Sequence, residues 1–515
     1  MTASLVLPDI DEQELRLLAE LLALHARPGD TIALSGELGA GKTTFARAFV
    51  RAILGDPEAE VPSPTFTLVQ VYDAVRFPVA HFDLYRLNSG EEVAELGLDE
   101  ALARGVVVVE WPERAWQALP AARLEVRLED GSSPELRKLN LVAHGGWSSK
   151  LARLEQVLCF CAEHVGAEAL RRARVTYLQG DASPRAYARI ARDQSTLVLM
   201  DAPRMPDGPP IRDGLPYSRI AHLAEDVRPF VAVARALAQR GLAAPHIEAL
   251  DMDAGLLLLE DLGDLTFGRA LDAGYAQDEL WRTAVDALVS LRRSGPPGPL
   301  PLPNGEVHTL PHYDRQALSI ETELLLDWYW PALEGAPAPA TAWTEFRALW
   351  NAEFDILVQL PKGWILRDYH SPNLMWRPQR QGIVRVGILD FQDALSGPWA
   401  FDLVSLLQDA RVDVPAELEA ELFDYYCRQV AAIEPDFDRT SFAHAYSVLG
   451  AQRNTKILGI FARLAKRDGK PAYLHHIPRI WRYLERDLSQ PSLAALRDWY
   501  DRNFPPTMRT RVLSL

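Results

Sequence analysis

A glycine-rich segment near the start of the chain has the residue types and spacing needed to hold a phosphate chain. It reads G-x-x-x-x-G-K-[ST] and lies between a predicted strand at Thr31–Ser35 and a predicted helix at Thr43–Leu54. Glycines let several backbone N–H groups turn inward, while Lys42 would neutralise phosphate oxygens and the Thr43 hydroxyl would bind Mg²⁺. We therefore predict a nucleoside triphosphate site. The residues expected to contact the nucleotide are Glu37, Leu38, Gly39, Ala40, Gly41, Lys42, Thr43 and Thr44.

Two acidic residues end predicted strands and could complete this site. Asp83 ends the apolar segment 79–83, and Glu110 ends the segment 106–110. At the carboxyl end of a parallel strand, either side chain would point into the phosphate crevice. A nucleoside triphosphatase needs one carboxylate near the metal and a group that positions water. The pattern alone does not say which acid has which role.

A second set of residues, far along the chain, has the spacing of a phosphoryl-transfer loop. Asp368 lies five residues before Asn373, and Asp390 follows at the end of another predicted strand. Asp368 would accept the proton of an attacking hydroxyl, while Asn373 and Asp390 would hold Mg²⁺ against the phosphates. We expect the nearby Asp402 to brace this loop from the start of a helix.

The elements that must position these residues fall into two architectures. Residues 1–146 alternate apolar runs with amphipathic segments and predict an α/β P-loop NTPase domain. A linker and helix are predicted over 147–166. Alternating patterns over 167–262 predict a β-rich N-lobe, and 263–515 are mostly helical, as in a C-lobe. The second part is thus predicted to be a two-lobed α+β domain, protein-kinase-like in the spacing of its transfer loop.

Composition limits the possible functions. The 515 residues carry a formal charge of −16, and the first 150 hold 14 basic and 23 acidic residues, a net charge of −9. This disfavours extended contact with nucleic acid. Three cysteines without a C-x-x-C pair predict neither a disulfide framework nor a cysteine-rich zinc site, which fits a reducing cytoplasm. We expect no export signal and no membrane span.

The amino-terminal motifs together resemble the TsaE family, the small ATPase of bacterial tRNA threonylcarbamoyladenosine synthesis. The resemblance covers about residues 5–142 and rests on GELGAGKTTFARA (36–48), PSPTFTL (62–68), HFDLYRL (81–87) and VEWPE (109–113). It implies that Thr43 and Glu110 hold Mg²⁺, that Asp83 and the loop containing Thr65 assist at the γ-phosphate, and that Trp111 packs near the nucleotide. It also implies TsaB–TsaD-type partners, which perform the carbamoyl-threonyl transfer and contact the tRNA.

The remaining chain, about residues 170–500, resembles the aminoglycoside phosphotransferase-like kinases, and among them the anomeric amino-sugar kinases (AmgK) of cell-wall recycling. The segments that carry the closer resemblance are 180–183, 198–203, 259–263, 451–461 and the two loops above. The implied reaction is ATP-dependent phosphorylation of the anomeric hydroxyl of N-acetylmuramate or N-acetylglucosamine. The resemblance also implies that Glu260–Leu262 form the hinge between the lobes and that the backbone of this hinge contacts adenine.

The kinase half lacks one cation that is common in the superfamily. Most of the superfamily has a lysine on the third strand of the N-lobe, but residues 197–201 contain none. Arg185 and Arg189 are candidates to meet the phosphate charge instead.

Three alternatives stay open at this stage. The transfer loop does not encode its acceptor, so the kinase could act on an aminoglycoside or a choline-like alcohol. The amino-terminal part could be a nucleotide-dependent regulatory module. The absent strand lysine could mark a pseudokinase, although Asp368, Asn373 and Asp390 are intact.

Overall fold

The structure is a computed structural model that describes residues 2–87, 91–178, 185–192, 195–511 and 513. Packing divides the chain into two units. The first unit is Met1–Pro203 with Ile247–Asp261, and the second is Arg204–His246 with Leu262–Leu515. The first unit thus holds the phosphate loop and the β-rich sheet, and the second holds the transfer loop. The four-part division of the chain stays a prediction.

The elements up to residue 203 follow the predicted order closely. They are β1 (Thr2–Ile10), α1 (Glu12–His25), β2 (Thr31–Gly36), α2 (Lys42–Leu54), β3 (Val69–Tyr72), β4 (Val79–Asp83), α3 (Glu91–Glu95), α4 (Leu98–Arg104), β5 (Val106–Glu110), β6 (Leu124–Asp130), β7 (Arg137–His144), α5 (Trp147–Val165), α6 (Ala167–Arg172), β8 (Arg174–Leu178), β9 (Ala186–Arg192) and β10 (Ser195–Asp201).

The elements after residue 203 are mostly helices. They are β11 (Pro210–Arg212), β12 (Leu215–Pro216), α7 (Tyr217–Ile220), α8 (Arg228–Gln239), β13 (Ile247–Asp251), β14 (Leu256–Glu260), α9 (Phe267–Asp272), α10 (Gln277–Arg293), β15 (Leu300–Pro301), β16 (Val307–His308), α11 (Arg315–Leu324), α12 (Trp330–Glu334), α13 (Ala340–Leu357), β17 (Lys362–Ile365), β18 (Leu374–Trp376), β19 (Val386–Ile388), β20 (Leu395–Pro398), α14 (Ala400–Leu407), α15 (Ala416–Ala431), α16 (Arg439–Asp468), α17 (Ile477–Leu488), α18 (Ala494–Asn503) and α19 (Pro506–Arg509).

A seven-stranded sheet positions the phosphate loop. Its strand order is β1-β7-β6-β2-β5-β4-β3, and β6, β2, β5 and β4 are parallel. The four consecutive valines of β5 are all buried, as expected of a central parallel strand covered on both faces. The register pairs Leu34 and Asp83 with Glu110, so both candidate acids lie at the edge where the phosphate loop leaves β2.

A second sheet, antiparallel with the order β13-β14-β10-β9-β8, forms the other half of the first unit. Its core is continuous with that of the first sheet. One cluster of buried apolar residues runs from Leu34 on β2 through Leu21 on α1 and Leu154 on α5 to Ile190 on β9. The amino-terminal domain and the β-rich lobe therefore pack as one body.

Polar contacts reinforce this shared core. Arg153 on α5 donates to Asp201 Oδ1 at 2.6 Å, and His25 Nε2 on α1 lies 3.3 Å from Asp201 Oδ2. Burial lowers the pKa of His25 to about 4, so this imidazole is neutral at physiological pH. Glu20 on α1 accepts from the Val175 N–H of β8 at 2.8 Å.

The second unit is built around the long buried helix α16, which packs against α11, α14 and α17. Close packing here requires a residue without a side chain at Gly459, because an added Cβ would lie 2.3 Å from the Leu324 backbone. Among the helices of the described residues, none combines the length and the hydropathy of a membrane-spanning segment.

Gly459→Ala is expected to lower the free energy of unfolding of the second unit by about 1–3 kcal/mol, the usual cost of overpacking. Gly268 on α9 is the matched control, because, apart from its chain neighbours and the backbone of its own helix, no atom of the described residues lies within 4 Å of its added Cβ. Gly268→Ala should be neutral or slightly stabilising. Urea denaturation of both variants measures the difference, and equal stability would contradict the close approach of Gly459 to the Leu324 backbone.

Candidate active sites

The phosphate loop holds Lys42 at the start of α2. Gly41, which precedes this helix, has a φ of 108°, a left-handed conformation that favours glycine. Lys42 is buried, and its ammonium group donates to the carbonyls of Gly36 at 2.7 Å and Glu37 at 2.9 Å. Its Nζ lies 3.7 Å from the ring centroid of Trp111. Burial lowers the pKa of Lys42, and neighbouring carboxylates, first among them that of Glu110, oppose this shift.

Glu110 connects the loop to the central strand. The Thr43 hydroxyl donates to Glu110 Oε2 at 3.0 Å, and His81 Nε2 lies 2.9 Å from Glu110 Oε1. Glu110 and His81 are both buried. The carboxylate is therefore held by two neighbours and directed to the hydroxyl at the helix start. His81 has no role in the sequence-based prediction, although it belongs to the HFDLYRL motif.

Asp83 has a different set of partners. It accepts hydrogen bonds from the Ser63 hydroxyl, from the Thr65 hydroxyl at 3.1 Å and from the Tyr85 N–H at 3.0 Å. This arrangement ties the loop that contains Thr65 to the end of β4. Trp111, with a φ of 59°, begins the turn after β5, and its ring centroid lies 4.9 Å from that of Tyr85. The two acids are therefore neighbours with separate surroundings.

The first site has the donors that Mg²⁺ prefers. Thr43 and Glu110 place a hydroxyl and a carboxylate oxygen 3.0 Å apart at a helix start. Within the described residues no cluster of three or more His, Cys, Asp or Glu side chains could hold a metal alone. Mg²⁺ is commonly bound by one or two protein oxygens together with substrate phosphates, so this small donor set fits it.

In the second unit, a short strand pair brings the transfer residues together. β18 pairs with β19 so that Leu374 faces Ile388, which places Asn373 and Asp390 at the same end of the pair. The Leu389 N–H donates to the Asn373 carbonyl at 2.9 Å, and Asn373 Nδ2 donates to the Asp368 carbonyl at 3.0 Å. The side chain of Asp368 is 39% exposed, so its carboxylate is accessible to a substrate.

Asp402 braces this loop from the start of α14, as expected. Its buried carboxylate accepts the Leu366 N–H at 2.6 Å and the Arg367 N–H at 2.9 Å. Burial raises the pKa of Asp402 to about 7, although these two hydrogen bonds oppose the shift. Arg367 and Asp390 have φ values of 72° and 57°, uncommon for residues with a side chain. The brace supports the strained backbone immediately before Asp368.

A buried charge cluster under the transfer loop was not predicted from the sequence. Glu321 on α11 accepts from Arg367, from Lys456 Nζ at 2.7 Å, from Gln452 Nε2 at 3.0 Å and from the Tyr313 hydroxyl at 2.6 Å. Burial opposes ionisation of Glu321, but the two cations outweigh it and lower its pKa to about 2. The only sequence signal was the 451–461 segment, which contains two of the partners.

The residues predicted to contact the nucleotide in the kinase half lie in the first unit, except for Leu262. Glu260 ends β14 and is half-buried, and Arg185 directly precedes β9. Arg189 donates to both oxygens of Asp261, at 2.6 and 3.0 Å, so this guanidinium is engaged by the hinge segment. The loop predicted over 180–184 lies outside the described residues, apart from its neighbour Arg185.

These geometries define two classes of site. The first is a P-loop nucleoside triphosphatase site, and the second is a phosphotransferase site with the loop order of the protein-kinase-like enzymes.

Comparisons with known proteins identify the families. Residues 10–139 match the family model described as "Threonylcarbamoyl adenosine biosynthesis protein TsaE", and residues 174–442 match the "Phosphotransferase enzyme family" model. The chain belongs to the phosphotransferase enzyme family and carries an amino-terminal domain of the TsaE family. Both resemblances predicted from the sequence are confirmed, and the protein is an enzyme with an ATPase part and a kinase part.

Individual relatives match one part each. N-acetylmuramate/N-acetylglucosamine kinase of Caulobacter vibrioides is 41% identical over 346 residues, covering 64% of this chain and 92% of the relative. The protein of the same name from Pseudomonas aeruginosa is 38% identical, covering 61% of this chain and 84% of the relative. The tRNA threonylcarbamoyladenosine biosynthesis protein TsaE of Rickettsia conorii is 44% identical over 118 residues, covering 23% of this chain and 67% of the relative.

The different surroundings of the two acids predict different defects. Glu110→Gln is expected to weaken Mg²⁺-dependent nucleotide binding about 10–100-fold, as loss of a metal-orienting group does. Asp83→Asn should bind nucleotide normally but hydrolyse it about 100-fold more slowly, because it disturbs the contacts of Ser63 and Thr65. Titration with a nucleotide analogue and a turnover assay separate the two. Equal binding losses would contradict the assignment.

Asp402→Ala should lower kinase turnover on the order of 100-fold, because the backbone before Asp368 loses its support. Asp402→Asn retains an acceptor and should be less impaired. The exposed Asp436 provides a control substitution to alanine in the same unit. Kinase turnover and ATP hydrolysis at the first site are measured for each variant. An unchanged kinase rate in Asp402→Ala would show that the contacts of Asp402 with the loop are dispensable.

Proposed function

We propose that the first site hydrolyses Mg·ATP in tRNA threonylcarbamoyladenosine biosynthesis, together with TsaB–TsaD-type subunits. The observation that carries this proposal is the Thr43–Glu110 hydrogen bond beside Lys42, at the end of the central parallel strands. The assignment to this pathway rests on the relatives that are named for tRNA threonylcarbamoyladenosine biosynthesis. Both proposed reactions use ATP, and we place the protein in the cytoplasm.

In this proposal each residue has a separate task. Lys42 neutralises the β- and γ-phosphate oxygens, and the residues from Glu37 to Thr44 surround the phosphates. Thr43 and Glu110 would hold Mg²⁺, which neutralises phosphate charge when bound. Asp83 orients the attacking water with the help of Ser63 and Thr65, and Trp111 excludes bulk water beside Lys42.

Two exposed apolar residues lie next to the phosphate-binding segments and support a partner surface there. Leu38 in the phosphate loop is 82% exposed and Phe66 in the Ser63–Thr67 loop is 83% exposed. The guanidinium of Arg86 lies 4.3 Å from the Phe66 ring. Exposed apolar groups combined with an arginine are typical of interface anchors. A partner that covered them would contact the loops that hold the γ-phosphate.

Phe66→Ser is expected to reduce partner-stimulated ATP hydrolysis at least tenfold while leaving the basal rate within about twofold, because an aromatic interface anchor contributes more than 1 kcal/mol. Val75→Ser is the matched control: Val75 is 82% exposed but precedes β4, at the opposite end of that strand from Asp83. Hydrolysis is measured with and without the TsaB–TsaD pair. Equal stimulation of both variants would place the partner elsewhere.

For the second site we propose phosphorylation of the anomeric hydroxyl of N-acetylmuramate or N-acetylglucosamine. The relatives named for these substrates and the accessible Asp368 carboxylate support this acceptor. Asp368 would orient the acceptor hydroxyl and take its proton. Asn373 and Asp390 would hold Mg²⁺, while Glu260, Leu262 and Arg185 would contact the nucleotide.

The full-length protein, given Mg·ATP and N-acetylmuramate, should form a sugar 1-phosphate that no longer has a reducing end. Phosphorus NMR distinguishes this product from a phosphate on the primary hydroxyl. Asp368→Asn should lower turnover far more than ATP affinity, and Asp390→Asn should also weaken Mg·ATP binding. Phosphate on the primary hydroxyl, or efficient transfer to an aminoglycoside and none to these sugars, would overturn the substrate assignment.

A further inference from the structure

The long helix α16 carries a buried cation that has no role in either candidate site so far. Arg453 is 6% exposed, and within the described residues its guanidinium makes one hydrogen bond, from Nη1 to the Gln408 carbonyl at 3.0 Å. No carboxylate of these residues forms an ion pair with it, and its Nε and Nη2 have no partner there but are not enclosed away from solvent. A buried cation without an ion pair destabilises a fold, and an arginine has five N–H donors. Arg453 therefore has the properties of a residue that binds a ligand.

Hydrogen bonds place Arg453 beside the transfer loop. Gln408, whose carbonyl it contacts, directly precedes the buried Asp409. The Asp409 carboxylate accepts the Ser371 N–H at 2.6 Å, and Ser371 lies three residues after Asp368. One buried carboxylate thus connects the surroundings of Arg453 to the loop that contains Asp368.

Lys456, one helical turn further along α16, approaches the same loop from the other direction. Its Nζ donates to Glu321 at 2.7 Å, and Glu321 also accepts from Arg367, the residue before Asp368. Burial lowers the pKa of both Lys456 and Arg453, and the Asp368 carboxylate is among the charges that oppose this shift. Two cations of α16 therefore lie near the transfer loop, one reaching the residues before Asp368 and one the residues after it.

The three carboxylates that act on Arg453 have other partners. Asp409 accepts the N–H groups of residues 371, 411 and 412 at 2.6, 2.7 and 3.1 Å. Asp402 accepts the two backbone N–H groups before Asp368, which is itself proposed to take the proton of the substrate. Arg411, a further cation, acts against the charge of Arg453. An anion bound by Arg453 would offset this repulsion.

We propose that Arg453 binds a carboxylate on the acceptor, so that the second site prefers N-acetylmuramate to N-acetylglucosamine. This inference rests on the proposed sugar kinase function and adds a residue that determines its specificity. The lactyl group of N-acetylmuramate carries a carboxylate that N-acetylglucosamine lacks. Because the anomeric hydroxyl of so small a sugar must reach Asp368, its other substituents lie beside the same loop. A guanidinium binds a carboxylate through two parallel N–H···O bonds.

Three acceptors test this preference in the full-length wild-type protein with Mg·ATP. They are N-acetylmuramate, its carboxamide, in which a neutral amide of the same shape replaces the carboxylate, and N-acetylglucosamine. A site with buried donors rejects an analogue that leaves those donors unpaired. We therefore expect kcat/KM for N-acetylmuramate, measured as sugar phosphate formed, to be at least about tenfold that for either neutral acceptor.

Substitution of Arg453 tests whether this residue causes the preference. Arg453→Gln should lower the ratio of the kcat/KM values, acid over carboxamide, to about one, and Arg453→Lys, which keeps the charge but not the paired donors, should give an intermediate ratio. Arg467→Gln is the control and should keep the wild-type ratio, because Arg467 is 56% exposed on the last turn of α16 and pairs with the adjacent Asp468. Both values of each ratio come from one preparation, so a change in the folded fraction cancels.

A wild-type ratio near one would overturn the proposal. So would an unchanged ratio in the Arg453 variants, and Arg453→Lys, which retains a cation beside Asp409, keeps this test available should Arg453→Gln not fold. A rise in the KM for Mg·ATP that exceeds the fall in the ratio would assign Arg453 to the phosphates instead. Absence of transfer to every one of these sugars by the wild-type protein would overturn the proposed function and this inference with it, whereas equal transfer to the acid and its carboxamide overturns the inference alone.

Discussion

Strand pairing places a carboxylate beside a proposed phosphate-binding element in each unit, and both proposed chemistries depend on it. In the first unit, the parallel register of β2 and β5 sets Glu110 opposite Leu34, so its side chain meets Thr43. In the second unit, the pairing of β18 with β19 sets Asp390 beside Asn373. Phosphoryl transfer needs fixed charges more than covalent help from the protein. A one-residue slip in either register would turn the carboxylate away.

Buried carboxylates make supporting contacts in both units. Asp402 binds two N–H groups before Asp368, and Asp201 binds Arg153 in the shared core of the first unit. A buried carboxylate without hydrogen bonds or a cation would be costly in the interior, and each of these two has such partners. Glu321 is the strongest case, since Lys456 and Arg367 keep it ionised although it is fully buried. The transfer loop therefore lies on a rigid ionic base.

Much of this arrangement could be predicted from local sequence. The strand and helix around the phosphate loop, and the strands ending at Asp83 and Glu110, have the predicted positions because periodicity and glycine placement are local signals. The brace by Asp402 was also expected. Contacts between distant residues could not be predicted in this way. Glu321 lies 135 residues from Lys456, and the core that joins Leu154 to Leu21 depends on packing of separate elements. Arg189 forms its ion pair with Asp261, which is 72 residues away, so local sequence could not show that this guanidinium already has a partner.

The central claim is that one chain contains two phosphate-transferring sites with separate residues. The most direct test compares Lys42→Ala with Asp368→Asn in the full-length protein, measuring partner-stimulated ATP hydrolysis and sugar phosphorylation in the same preparations. Lys42→Ala should lose the hydrolysis and keep the sugar kinase activity, and Asp368→Asn should show the reverse. Loss of both activities in either folded variant would contradict the claim, because the two sites would then not be independent.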